Sequence, residues 1–190
     1  MERYAVVDVE TTGFSPTADR IVEVACVAVD GRHVVDRWST LVNPGRSIPE
    51  RVSAIHGITD AMVAFAPPLA VAMGELRRRC AGRLVGAHCA PFDLSFLRGL
   101  DVESALCTMR LARALVPEAP NHKNQTLRRF LRIDAAIGRK LGAHRALDDA
   151  TVSAHILIAC RRRFRARWPG ESWEHFIERF AIVRARAAAA

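Results

Sequence analysis

No stretch of the 190-residue sequence approaches the roughly 20 consecutive apolar residues that a membrane-crossing helix needs, so a helical membrane anchor is not expected. The opening Met-Glu-Arg-Tyr runs straight into a strand-like segment without the apolar core of a signal peptide, and the expectation is a soluble, cytoplasmic protein with no membrane partner. Cys26, Cys80, Cys89, Cys107 and Cys160 are odd in number and lie in apolar runs without C-x-x-C spacing. That excludes a disulfide framework and a cysteine zinc site, leaving buried thiols as the expectation. There is no internal repeat, which excludes a solenoid, and no low-complexity tract beyond four terminal alanines. Half of the residues are apolar and about a quarter charged, so the chain can bury enough surface to fold.

What is present is positive charge. The formal net charge is +8, and residues 161–190 carry eight arginines against three glutamates, hence +5 of it. A basic chain points to a polyanionic partner without identifying one. Arginines 161, 162, 163, 165 and 167, with Lys123, Arg128 and Arg129, are candidate phosphate contacts or a solvated helix face.

Apolar patterning predicts a short strand over Tyr4–Asp8, then two antiparallel strands over 20–29 and 32–42 joined at Asp30-Gly31, a strong hairpin signal. Short helical turns are expected near 49–55 and 60–64, a helix over 68–80 entered through Pro67-Pro68, and a strand over 83–87. Beyond Pro91 the pattern is mostly helical, at about 91–99, 108–115, 124–131 and 146–167. Strands first and βα units afterwards predict an α/β protein with a mixed sheet flanked by helices. Residues 1–167 read as one domain, and 168–190 as an appended amphipathic helix over Ser172–Arg186 with Trp173, Phe176, Ile177, Phe180 and Val183 on one stripe. Packing on its own domain is the plainer use of that stripe, a partner site the other.

Three segments carry chemistry. The first strand ends Asp8-Val9-Glu10-Thr11-Thr12-Gly13, and strand alternation puts both carboxylates on one face, where their repulsion invites a divalent cation. Residues 86–97 place Asp93 just inside a helix after a buried strand, and residues 144–149 (HRALDD) place a histidine ahead of Asp148 and Asp149 at a helix start. Each alone has an ordinary explanation, an acid favoured by a helix N-terminus or a solvent-facing acidic pair.

Together, D-x-E-T-T-G, H-x-x-x-F-D-x-x-F-L and H-x-A-x-x-D resemble in order and spacing the DEDDh family of 3′→5′ exonucleases, the family of proofreading epsilon subunits, over about Tyr4–Cys160. The segment Ile55-His56-Gly57-Ile58-Thr59 is similar to the family loop that borders the terminal nucleotide. The resemblance implies an RNase H-like fold with a central mixed five-stranded sheet flanked by helices. It implies metal ligands at Asp8, Glu10, Asp93 and Asp149, a general base at His144, and nucleotide contacts at Thr11, Thr12, Phe14 and His56. Helical phase does not choose between Asp148 and Asp149; the family spacing favours Asp149. Cys89 stands where the family usually has asparagine, a weaker hydrogen-bonding group that puts substrate positioning in doubt and removes no ligand.

The implied cofactors are two Mg²⁺ or Mn²⁺ ions, hard cations suited to oxygen ligands. The implied reaction removes nucleoside 5′-monophosphates from single-stranded or frayed DNA 3′ ends, with His144 as base and activity falling as pH drops. Competing readings are an RNA-directed exonuclease similar to oligoribonuclease or ribonuclease T, and a non-catalytic nucleic-acid-binding or polymerase-associated scaffold. A DNA polymerase or a second copy of the chain are candidate partners.

Overall fold

A computed structural model describes residues 2–184. Strand β1 (Arg3–Thr11) is central, paired antiparallel with β2 (Ile21–Asp30), which pairs antiparallel with β3 (His33–Leu41). The tight β2–β3 connection needs positive φ, and Gly31 supplies it at 60°. Helices α1 (Glu50–His56), α2 (Asp60–Val63) and α3 (Leu69–Cys80) follow, then β4 (Leu84–Ala87) parallel to β1, α4 (Ala90–Phe96), and β5 (Ser104–Cys107) parallel to β4. Helices α5 (Thr108–Leu115), α6 (Asn124–Phe130), α7 (Ile133–Ile137), α8 (Ala146–Arg167) and α9 (Trp173–Phe180) lead to β6 (Ile182–Arg184), antiparallel to β5.

The sheet therefore has six strands, in the order β3-β2-β1-β4-β5-β6, not five. The apolar pattern announces neither β5 nor β6, and β6 is the sixth strand. Strand β5 is only four residues long and carries no readable period. The expected last helix stops at Phe180, and Ile182–Arg184 turns into an edge strand; Arg186, placed on that helix by its pattern, lies outside the described residues.

Alternation along β1 divides the core. Tyr4 and Val6 face α5, α8 and α9, whereas Ala5, Val7 and Val9 face α3 and α4. Strand β2 is buried on both faces, which is why it reads as a continuous apolar run. The stripe on α9 is used internally: Trp173 is fully buried against Phe164, and its indole N–H donates to the Tyr4 hydroxyl at 2.7 Å. Val183, expected on that stripe, is buried on β6 instead. Cys89 departs from the expectation of buried thiols, being exposed at the start of α4. Among the described residues no helix is long and apolar enough to cross a membrane.

Candidate active site

The row Tyr4, Val6 continues up β1 as Asp8 and Glu10, so the face that is apolar at one end of the strand is acidic at the other. The N-terminal turns of α8 lie over that end and add Asp149. Asp8, Glu10 and Asp149 each place a carboxylate oxygen within 4.8 Å of the others'. Asp93 reaches the site from α4, whose apolar residues pack in the opposite core. It lies outside that tight group, is buried, and its charge still acts on Asp8.

Burial raises the pKa values of all four acids, and the charges of neighbouring acids add to it. Asp8 is pushed well above the usual carboxylate range by burial and then by the charges of Asp93, Asp149 and Glu10. Burial and the Asp149 charge lift Glu10 to about 8. Asp93 rises to about 7, burial again leading, although backbone N–H groups hold it down. Asp149 is also raised, mainly by burial. An all-oxygen donor set, destabilised in its charged form and, among the described residues, without a cation side chain inside it, fits hard divalent metal ions.

The structure separates the two adjacent acids of α8. Asp149 accepts from the Gln125 amide at 2.6 Å and from the His144 backbone N–H at 3.0 Å. Asp148 points away, accepting from the Gly142 N–H at 2.6 Å and from Arg139 at 3.3 Å. His144 precedes the helix with φ 56°, in the left-handed region that non-glycine residues rarely adopt, and its side chain is exposed.

Around the loop after β1, the Thr11 hydroxyl donates to the Gly13 carbonyl at 2.6 Å and the Thr12 hydroxyl to Asp19 at 3.1 Å. Asp19 also accepts from the Ser15 N–H at 2.9 Å, and its carboxylate fills the space a side chain at Gly13 would need. Both threonines are buried with their hydroxyls engaged, and the Thr12 N–H donates to the Arg20 carbonyl at 2.8 Å, so neither hydroxyl is free to meet a ligand. Phe14 projects outward, 82 % exposed, with its ring tilted against Phe92 at 6.3 Å. His56 is buried, and its Nδ1 accepts from the Ile58 N–H at 3.0 Å, which places the proton on Nε2. Burial lowers its pKa.

Two residues of the site escape a reading by motif. Glu23 on β2 sits opposite Glu10 and is 2 % exposed. It accepts both prongs of the Arg145 guanidinium, at 3.0 and 2.9 Å, and the Ala146 N–H at 3.0 Å. Its signal in the sequence is one ionisable residue inside an unbroken apolar strand, Ile-Val-Glu-Val-Ala-Cys. The second is Gln125, oriented through Oε1 by Arg128 at 2.9 Å. Arg128 itself is buried, forked onto Asp134 at 2.9 Å twice, and donates to the Leu141 and Gly142 carbonyls. It is an internal strut and not the phosphate contact its exposed-looking position implied.

Four of the five candidate arginines of α8 have partners within the chain: Arg161 and Arg165 with Glu2, Arg163 with Glu118, and Arg167 over the Trp168 ring. Arg162 has no ion-pair partner among the described residues.

Comparison with known proteins bears on this geometry. The family model for exonucleases matches residues 5–157. The chain is 31 % identical over 163 residues to the DNA polymerase III subunit epsilon of Aquifex aeolicus, covering 82 % of this chain and 78 % of the relative. It is 35 % identical over 164 residues to the PolC-type DNA polymerase III of Oceanobacillus iheyensis, spanning 82 % of this chain but only 11 % of that much longer protein. A solved structure of exonuclease X in complex with 5′-overhanging duplex DNA superposes with TM-score 0.73 and 32 % identity, covering 92 % of this chain and 98 % of that one.

Proposed function

The chain belongs to the DEDDh exonuclease family, and from that premise we propose that it hydrolyses the terminal phosphodiester at the 3′ end of single-stranded or frayed DNA, releasing nucleoside 5′-monophosphates. The observation that carries the reading is the convergence of Asp8, Glu10 and Asp149 within 4.8 Å, with Asp93 buried beside them and, among the described residues, no cationic side chain between them.

Asp8, Glu10, Asp93 and Asp149 would hold two Mg²⁺ or Mn²⁺ ions, which when bound stabilise charge on the scissile phosphate and the leaving oxygen and acidify water. The exposed ring of Phe14 offers the terminal base a stacking surface, and the backbone at Thr11 and Thr12, held by Asp19, lines its sugar–phosphate. His56 closes the other side. Neutral His144 takes the proton of the attacking water as the new P–O bond forms and the 3′-oxygen leaves with the bonding pair. Stacking needs an unpaired terminal base, which favours single-stranded or frayed ends, and it reads little sequence. The exonuclease X complex, solved with DNA, favours DNA over RNA. The polymerase III names of the relatives make a DNA polymerase the partner to test.

The test is digestion of 5′-labelled DNA and RNA oligonucleotides of one sequence with Mg²⁺, Mn²⁺ or EDTA, beside Asp8→Ala. A metal-dependent ladder shortening from the 3′ end, absent in the variant, is expected, with DNA the better substrate. No cleavage of either strand, or undiminished cleavage by the variant, overturns the reading.

A further inference from the structure

Helix α8 begins without a cap of its own. Its N-cap residue is Arg145, whose side chain makes no capping hydrogen bond, and the residue before it, His144, is held at φ 56°. A serine or aspartate at 145 would satisfy the helix locally. The chain instead satisfies it from another element: the Glu23 carboxylate crosses from β2 to accept the Ala146 N–H and the whole guanidinium fork of Arg145. Glu23 lies in the row that faces α8, directly opposite Glu10, yet it is not among the three converging carboxylates. Its oxygens are already committed to Arg145 and Ala146. From the other side, Asp149 accepts the His144 N–H. The backbone on both sides of His144 is thus tied down, once to the sheet and once to the acidic cluster.

We infer that Glu23 is a positioning residue: through Arg145 and the Ala146 N–H it fixes His144 in its left-handed backbone conformation and so sets the histidine relative to the carboxylates of β1. The inference rests on His144 acting as the base. A bidentate arginine–carboxylate pair suits the task because its planar fork fixes orientation as well as distance. The link is also short and rigid, since β2 is the strand hydrogen-bonded to β1.

Glu23→Gln keeps size and one acceptor but loses the charged fork, and a misplacement of about 1 Å at a catalytic group costs roughly 10- to 100-fold in kcat. The experiment is a double-mutant cycle of Glu23→Gln with His144→Ala on a 5′-labelled DNA oligonucleotide, with Mn²⁺ affinity by calorimetry and melting temperature on the same proteins. Expected is a fall in kcat of that size for Glu23→Gln, with KM and Mn²⁺ affinity within about threefold. In the His144→Ala background the same change should cost less than about threefold, because what it positions is gone.

Wild-type kcat in Glu23→Gln, or equal losses in both backgrounds, would overturn the inference; the second result is what a purely structural role gives. Near wild-type turnover in His144→Ala alone would instead remove the base assignment, and with it the premise. If Glu23→Gln does not fold, Arg145→Lys, which keeps the charge and loses the fork, should show the same pattern at about 3- to 10-fold.

Discussion

The two ends of β1 carry the same residue types and behave oppositely. At the N-terminal end Asp30 pairs with Arg3 and Arg83, and Arg79 pairs with Asp36 and Glu75. Arginine partners hold Asp30 below the usual carboxylate range, and Arg78 and Arg79 bring Glu75 to about 2. At the C-terminal end Asp8 and Glu10 face other acids and their pKa values rise. One end is electrostatically complete as the chain folds; the other is complete only with cations supplied from outside. Unmatched charge of one sign, buried at a strand end, separates a working site from a structural ion-pair cluster.

The largest expected effect breaks the acidic end. Asp149→Asn should abolish metal-dependent hydrolysis, whereas Asp148→Asn, one residue away but bonded to Gly142 and Arg139, should stay within about tenfold of wild type in a steady-state digestion assay. His144→Ala should lose about 10² to 10⁴ in kcat with metal affinity retained, which single-turnover assays and calorimetry separate.

A smaller effect sharpens the contrast in stability. Because Glu10 and Asp93 have raised pKa values, near 8 and 7, the metal-free folded state binds more protons than the unfolded chain between the ordinary carboxylate range and those values. The stability these two groups contribute is therefore fully present below the ordinary carboxylate range and is lost as pH rises through about 7 to 8. Thermal unfolding of metal-free protein should show a melting temperature that falls over this window, and saturating Mg²⁺ or Mn²⁺ should remove the fall. Glu10→Gln should raise the metal-free melting temperature at pH 8.5, by roughly 2–4 °C for each kcal/mol of repulsion relieved, while weakening metal binding.

The smallest effect belongs to the arginine-matched end. Glu75→Gln should leave digestion rates within about twofold, since its partners Arg78 and Arg79 lie with it on α3 and none of the four acids is among them. Its pKa is lowered, so its contribution is present above the ordinary carboxylate range and disappears as pH falls toward about 2. The stability difference between variant and wild type should vanish on acidification, the reverse of the Glu10 pattern.

Much of this molecule is legible along the chain. The Asp30-Gly31 hairpin, the strands before it and after it, and the long α8 declare themselves by turn chemistry and period, and the three acidic motifs by their spacing. β5 and β6 do not: they are four and three residues long, and without the punctuation that announces the equally short β4 they are defined by the neighbours they bond to. Arg128 reads as a candidate phosphate contact and is a buried strut, because sequence records charge without recording partners. Glu23 was visible as an oddity in an apolar strand, but its partner lies more than a hundred residues away.

The sequence by itself determined which residue types stand at the strand and helix ends, because periodicity and turn signals are local and backbone sterics read them directly. Only the tertiary structure decided which of them meet. Asp149 joins Asp8 and Glu10, as the family spacing implies, while Asp148 turns to Gly142 and Arg139; Asp93 arrives from the opposite face, and Glu23 caps a helix it never approaches in sequence. Those outcomes depend on how β1, β2 and α8 pack in three dimensions, and carboxylate repulsion and hydrogen-bond geometry act on distance in space, which a linear spacing does not contain.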